Sequence, residues 1–296
     1  MKKPIIHLLT ISLTLFLLNS CDLGVDFGGF FYSYSDPDSR FLESSELPMH
    51  SDISPLDSLT GTDGKLIFSF ALISDIHVED SGAPHLKQLA ESLLLPEDLF
   101  ILDCGDSTQS GYSNQFDTYR AIMNGTGIPW YASIGNHDLY HGGWKHYRDI
   151  IGKSVYTFSI GNQGNPGATL VLSLDSANGT LGRKQMDWLE ETLKTNSGLW
   201  DHLIVFTHSQ FFSDGITTIV QFSDTEEIYK LMYLFKKYAV DYVFMGHNHV
   251  WNQRTIDNVH YITMDPLQKE GSEDSFVRVT VDGSEISHNR IMIPGL

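Results

Sequence analysis

Short apolar blocks separated by polar and glycine-containing turns run through the chain from Lys65 onward. Blocks of strand length fall at Leu66–Ile73, Leu99–Leu102, Pro129–Ile134, Val155–Ile160, Thr169–Leu174, Leu203–Thr207, Tyr242–Met245 and Tyr261–Met264. Helical periodicity alternates with them. It is clearest over Thr225–Tyr238, where Ile228, Leu231, Met232, Phe235 and Ala239 share a face and Ser223 with Glu226 offers a capping box. Arg183–Lys194 places Met186, Leu189 and Leu193 on one face, another helix starts after Pro84, and a fourth spans about Gln115–Met123. The tail from Phe276 to Ile293 alternates like antiparallel strands. Strands alternating with helices place the chain in the α/β class.

The first residues follow a different pattern. Lys2 and Lys3 precede an apolar run from Ile5 to Leu18, shorter than the roughly 20 residues that span a bilayer, and Asn19-Ser20-Cys21 follow. This reads as a secretory signal over residues 1–20. The ending Leu18-Asn19-Ser20-Cys21 resembles a bacterial lipobox, which implies acylation of Cys21 and anchoring by buried methylenes. The expected location is then the bacterial cell envelope, facing the periplasm or the exterior. Residues 21–63 read as an acidic tether: over 22–61 eight acids stand against one base, Arg40, with frequent serine and no sustained periodicity. Within it, Phe27–Tyr34 is aromatic, and docking on the domain is its preferred reading. Residues 64–296 remain as one catalytic domain, within the single-domain size range.

Composition narrows the function. With 37 acidic against 19 basic residues the formal charge is −18, which argues against a nucleic-acid surface and against a basic patch on anionic lipid. At 41% hydrophobic residues the chain has ample material for a core. Two cysteines make no disulfide framework, and with Cys21 acylated Cys104 reads as a buried small hydrophobe.

Chemistry gathers where apolar blocks end. Asp75-Ile76-His77, Gly105-Asp106, Gly135-Asn136-His137-Asp138, Thr207-His208-Ser209 and Gly246-His247-Asn248-His249 each follow a buried run. Loops at strand C-termini are where α/β sheets bind ligands. Asp75 and His77 are two residues apart, as are His247 and His249, so each pair points one way on extended backbone. Imidazole and carboxylate suit zinc, iron and manganese, and no thiolate cluster suggests a structural zinc. Asp75, His77, Asp106, Asn136, His208, His247 and His249 exceed the needs of one closed site and suffice for two ions. Paired ions polarise a phosphoryl group and generate hydroxide at neutral pH. Serine-elbow, zincin, phosphate-loop and dinucleotide motifs are all missing from the sequence.

The ordered set D-x-H, G-D, G-N-H-D, a lone His and G-H-x-H resembles the calcineurin-like metallophosphoesterase family, over roughly residues 66–264. Asp175-Ser176 and Gln185–Leu189 also look like that family's middle region. The resemblance implies two mixed β-sheets packed as a sandwich and flanked by helices, a four-layer αββα fold. It implies one metal on Asp75, His77, Asp106 and His249 and a second on Asp106, Asn136, His208 and His247, with Asp106 bridging. It implies attack on phosphorus by a metal-bridging hydroxide. His137 would serve the leaving oxygen, and Asp138 would hydrogen-bond and orient His137. Where many members carry Asp or Asn three residues after the G-D aspartate, this chain has Gln109.

The expectation is an exported, lipid-anchored, dinuclear hydrolase of phosphate mono- or diesters, using manganese, iron or zinc. The alternative is a non-catalytic metal- or ligand-binding surface lipoprotein on the same fold. His141, Trp144 and His146 in the Gly142-Gly143 region either shape a substrate pocket or form a surface loop with a packed Trp. Trp251 reads as core packing, and the Asn124 and Asn178 sequons read as turns.

Overall fold

Along most strands both faces are apolar, the pattern of sheets covered on each side. The computed structural model describes residues 35–57, 64–212, 222, 224–268 and 274–294. Helices α1 (Pro37–Ser45) and α2 (Ser54–Asp57) precede the strands β1 (Ile67–Ile73), β2 (Asp98–Asp103), β3 (Trp130–Ala132), β4 (Tyr156–Ile160), β5 (Thr169–Ser173), β6 (His202–Phe206), β7 (Tyr242–Met245), β8 (Asn252–Ile256), β9 (Val259–Thr263), β10 (Ser275–Asp282) and β11 (Glu285–Met292). One sheet has the order β11-β10-β1-β2-β3 and the other β4-β5-β6-β7-β9-β8. Within the first, β1, β2 and β3 are parallel and β10 and β11 close an antiparallel edge. Within the second, β5, β6, β7 and β9 are parallel, with antiparallel β4 and β8 at the margins.

Phe68, Phe70, Leu72, Phe100 and Leu102 of the first sheet share one cluster with Phe158, Val171, Ile204, Phe206 and Phe244 of the second. Phe100 stacks on Phe70 at 4.5 Å and meets Phe158 edge-on at 5.5 Å, so the aromatics join the sheets face to face. Each such ring contributes roughly 1.5–3 kcal/mol by leaving water. The intervening residues point outward. Ala71, Ile73 and Ile101 pack beneath Leu86 of α3 (Pro84–Gln88), Phe116 and Met123 of α4 (Ser113–Gly125) and Trp144 and Tyr147 of α5 (Gly143–Ile150). Leu172, Val205 and Val243 pack beneath Leu189 of α6 (Arg183–Asn196) and Leu231 and Phe235 of α7 (Thr225–Lys237). The result is the four-layer αββα arrangement that the resemblance implies. None of the described helices is long and apolar enough to cross a membrane.

Several local expectations change. The region after Gly142-Gly143 is a helix, not a loop: Gly142 takes φ 77° to turn the chain, and Trp144 and Tyr147, three apart, bury one face. The α7 cap is Asp224, whose side chain accepts from Glu226 N–H at 2.9 Å and Glu227 N–H at 3.2 Å. β8 was not visible as an apolar run because it is an edge strand of mixed exposure, Asn-Gln-Arg-Thr-Ile, zipped antiparallel to β9.

The signal and acylation readings on residues 1–21, and the aromatic segment Phe27–Tyr34, lie outside the described residues. The described part of the expected tether, residues 35–57, departs from that reading because it lies on the domain. Asp36 caps the helix Pro37–Ser45 by accepting from Ser39 N–H at 2.9 Å. Arg40, the segment's one base, is 1% exposed and grips Asp175 through Nε at 2.9 Å and a terminal nitrogen at 2.8 Å. Ser44 Oγ accepts from Ser154 and Val155 N–H, and Trp144 Nε1 donates to Glu43 at 2.9 Å. A solvated spacer leaves such groups in water; here a buried charge found a buried partner.

Candidate metal centre

The parallel strands that reach the site end in turns carrying its side chains, and those after β1, β2 and β7 have strained backbone. Asp75 and His77 follow β1, Asp106 follows β2, Asn136 to Asp138 follow β3, His208 follows β6, and His247 and His249 follow β7. Asp75, His77, Asp106, His247 and His249 all hold positive φ, between 48° and 72°. Such conformations cost non-glycine residues roughly 1–3 kcal/mol and collect where function fixes the backbone. Backbone bonds hold the turns together: Asp75 N–H donates to the Gly105 carbonyl at 3.0 Å, His77 N–H to Asp106 at 3.0 Å, and Gly246 N–H to His208 at 2.9 Å. Two glycines are required for space. A Cβ on Gly135 would strike the Asp106 carboxylate, and one on Gly246 would strike Ser74 Oγ and crowd Asp75.

Side chains from both sheets converge. His249 Nε2 lies 3.2 Å from Asp75 Oδ1 and 3.2 Å from His77 Nε2. His208 Nε2 lies 3.0 Å from His247 Nδ1, 3.0 Å from Asn136 Oδ1 and 3.3 Å from Asp106 Oδ2. Asp106 Oδ2 also lies 3.7 Å from His77 Nε2, so this carboxylate faces both groups. The seven residues anticipated as ligands are therefore brought together, in sets Asp75–His77–His249 and Asp106–His208–His247, with His137 close to His77 and Asp106. His249, 38% exposed at its side chain, forms the open rim; Asp75 and His208 form the floor.

Four of the ligands, Asp75, Asp106, His77 and His247, hold the protonation state that a cation needs. Burial opposes ionisation of Asp75, but the adjoining His249 outweighs it and holds the carboxyl below its ordinary range. Asp106 is likewise held low, against its burial, by His208 and His137. Burial, aided by His137, pushes His77 down to about 3, and burial with His208 pushes His247 down to about 4. Asp106 and Asp75 overcome burial at His208 and raise it to about 9. A divalent ion needs ionised carboxylates and neutral imidazoles, so its entry must displace the proton from His208. Facing ring nitrogens at 3.0–3.2 Å, each pair beside a carboxylate, fit a shared cation better than they fit one another.

His137 and Asp138 depart from expectation. His137 Nδ1 donates to the Gln109 backbone carbonyl at 2.8 Å, and its N–H donates to Asp106 Oδ1 at 2.8 Å. Asp138 does not orient that ring. Fully buried, it accepts from Ser107 N–H at 3.2 Å, Thr108 N–H at 2.9 Å, Thr108 Oγ1 at 2.8 Å and Gly135 N–H at 3.0 Å. Burial, then the Asp106 charge, raises its pKa to about 7. The physical reason is competition: two loops of orphan N–H donors surround this carboxylate, and the backbone carbonyl reaches the imidazole instead.

Other supports had no sequence signal. Gln268 Nε2 donates to His249 Nδ1 at 3.0 Å, Ser74 Oγ to Asp75 at 2.6 Å, and His208 Nδ1 to the Cys104 carbonyl at 3.1 Å. Tyr140 Oη accepts from Asn136 Nδ2 at 3.2 Å. Cys104 is buried and unbridged, and Trp251 packs on the inter-sheet core beside Arg290. Gln185 exchanges bonds with the Asp175 backbone, and Asn178 Oδ1 accepts from Arg40.

Residues 68–251 match the family described as calcineurin-like phosphoesterase, and the chain belongs to that family. No curated protein matches the sequence. Among solved structures it is similar to a dimetal phosphatase from Danio rerio, at 13% identity and TM-score 0.54, over 77% of this chain and 99% of that one. It is similar to a purple acid phosphatase from yellow lupin at 13% identity and TM-score 0.59, over 79% and 53% of the two chains. It is also similar to GAP50, the anchor in the inner membrane complex of Plasmodium, at 16% identity and TM-score 0.53, over 77% and 89%. At these identities the likeness is one of fold.

Proposed function

We propose that this protein is a dinuclear metal-dependent hydrolase of phosphate mono- or diesters, exported and held in the bacterial cell envelope by a lipid on Cys21. The observation that carries the proposal is Asp106, whose carboxylate lies 3.3 Å from His208 and 3.7 Å from His77 and so faces both ligand sets. Asp75, His77, Asp106 and His249 would hold one ion, and Asp106, Asn136, His208 and His247 the other. Two manganese, iron or zinc ions would supply charge to grip the phosphoryl oxygens and a lowered pKa for water. The positive charge for an anionic substrate then comes from ions, which reconciles phosphate chemistry with a chain of formal charge −18.

The protein's own groups do the rest. Asp75 and Asp106 stay ionised and His77 and His247 stay neutral, whereas His208, raised to about 9, must release its proton for an ion to enter. The Gln109 carbonyl accepts from Nδ1–H and orients the His137 ring, and to give a proton to the departing oxygen from Nε2 the imidazole must carry both protons. The half-exposed rim at His249 admits substrate without movement of the floor.

A second reading, a metal- or ligand-binding lipoprotein without turnover, is favoured by the fold's similarity to a structure described as an anchor. The aimed imidazole of His137 favours the hydrolase. Purified protein loaded with manganese, iron or zinc is expected to hydrolyse p-nitrophenyl phosphate or bis(p-nitrophenyl) phosphate, to lose activity to a chelator and to regain it on reloading. Stoichiometric metal binding without turnover of any ester selects the second reading. For the anchor, Cys21→Ser is expected to release the protein from membranes, and a mature mass lacking acyl chains would refute it.

A further inference from the structure

The two loops that hold His137 also carry an aromatic pair that the proposed chemistry does not use. Residues 109–112 and 138–143 are pressed backbone to backbone: a Cβ on Gly111 would strike the Tyr140 carbonyl, and one on Gly143 would strike Asp138 and lie 3.0 Å from Gly111 Cα. Ser110 N–H donates to Gln115 Oε1 at 2.9 Å, and Gly111 N–H donates to Thr108 Oγ1 at 3.1 Å. His141 interrupts the helical turns around it at φ 53°, and its Nδ1 donates to the Ser110 carbonyl at 3.1 Å. That places its ring on Tyr112, with centroids 4.8 Å apart and planes inclined by 28°. His141 is exposed, and Tyr112 is 42% exposed.

The pair is held by these contacts, lies outside the core and is joined to the reaction centre by short stretches of chain. Gln109, whose carbonyl holds His137, is three residues from Tyr112, a path of at most about 11 Å. His141 is four residues beyond His137 on the other loop. Both loops therefore run from the imidazole assigned to the leaving oxygen to the stacked rings. A preformed aromatic face binds flat rings by stacking and gives an alkyl chain no equivalent contact.

Resting on the phosphoesterase reading, we propose that Tyr112 and His141 form the platform for the leaving group and select esters whose leaving group carries an aromatic ring, aryl or nucleobase. The platform reads a π-face. It needs no positive charge, in keeping with the acidic chain.

The test compares phenylphosphonate with methylphosphonate, which share a head group and are not hydrolysed, by titration calorimetry on the manganese-loaded full-length protein. Phenylphosphonate is expected to bind about tenfold more tightly. Tyr112→Ala is expected to bring that ratio near one, and Tyr112→Trp to restore it. Equal binding of the two probes by the wild type, no binding of either, or an unchanged ratio in Tyr112→Ala overturns the platform. The underlying reading fails separately. A protein that prefers phenylphosphonate and hydrolyses no ester keeps the platform and loses the hydrolase, whereas hydrolysis without phenyl preference loses the platform alone.

Discussion

The Nδ1 nitrogen of His137 donates to the backbone carbonyl of Gln109 across 2.8 Å. A backbone acceptor survives any side-chain change, so Gln109→Ala is expected to alter kcat by no more than about twofold. His137→Ala removes the proton donor and is expected to lower kcat by about 10²–10⁴ with metal content unchanged. Steady-state kinetics with metal analysis on the same samples checks both. An unchanged rate in His137→Ala would remove the imidazole from the mechanism.

Asp138 serves stability. Its carboxylate satisfies three backbone N–H groups and one hydroxyl in a fully buried position. Asp138→Ala leaves these donors unpaired and is expected to cost about 3 kcal/mol, read by denaturant unfolding. If Asp138→Ala instead kept wild-type stability and lost only turnover, Asp138 would act on the reaction and not on the loops.

How far the site was legible in the sequence follows from what each contact uses. His208 and Asp106 could be anticipated because metal binding depends on side-chain type, and their turns follow apolar strands. The partner of His137 could not, because a carbonyl belongs to every residue; Asp138, next in sequence and of the right chemistry, was the natural candidate. The strands were readable from burial on both faces. β8 was not, since Asn252 and Arg254 sit at a sheet margin where no apolar run is required. Arg40 was misread for a related reason: a single base among acids looks solvated until a distant acid, Asp175, closes over it.

The Arg40–Asp175 pair fastens the N-terminal segment, both side chains being 1% exposed. Arg40→Met strands the Asp175 charge and is expected to lower stability by about 3–5 kcal/mol. Limited proteolysis should then cut within 35–57, which the wild type should resist. Equal protease resistance in the two proteins would mean that the segment is held by other contacts.

His50 lies on Trp130, ring centroids 4.2 Å apart, and burial pushes its pKa down to about 4. An unfolded imidazole takes its proton near pH 6.5, so between about 6.5 and 4 the unfolded chain binds more protons than the folded one. Stability therefore falls as pH falls through this window, by up to about 3 kcal/mol. His50→Phe keeps a ring on Trp130 and removes that loss. Urea unfolding at about pH 7 and about pH 5 should show the variant gaining on the wild type as acid is added. A difference independent of pH would refute the assignment.

The central claim is that two cations share Asp106, and the most direct measurement is metal content per chain after loading with manganese or zinc and removal of excess. Wild-type protein is expected to retain two ions, and Asp106→Ala to lose both, because each ligand set includes or borders that carboxylate. Retention of no more than one ion by the wild type under every loading condition, or of two by Asp106→Ala, would contradict the shared centre.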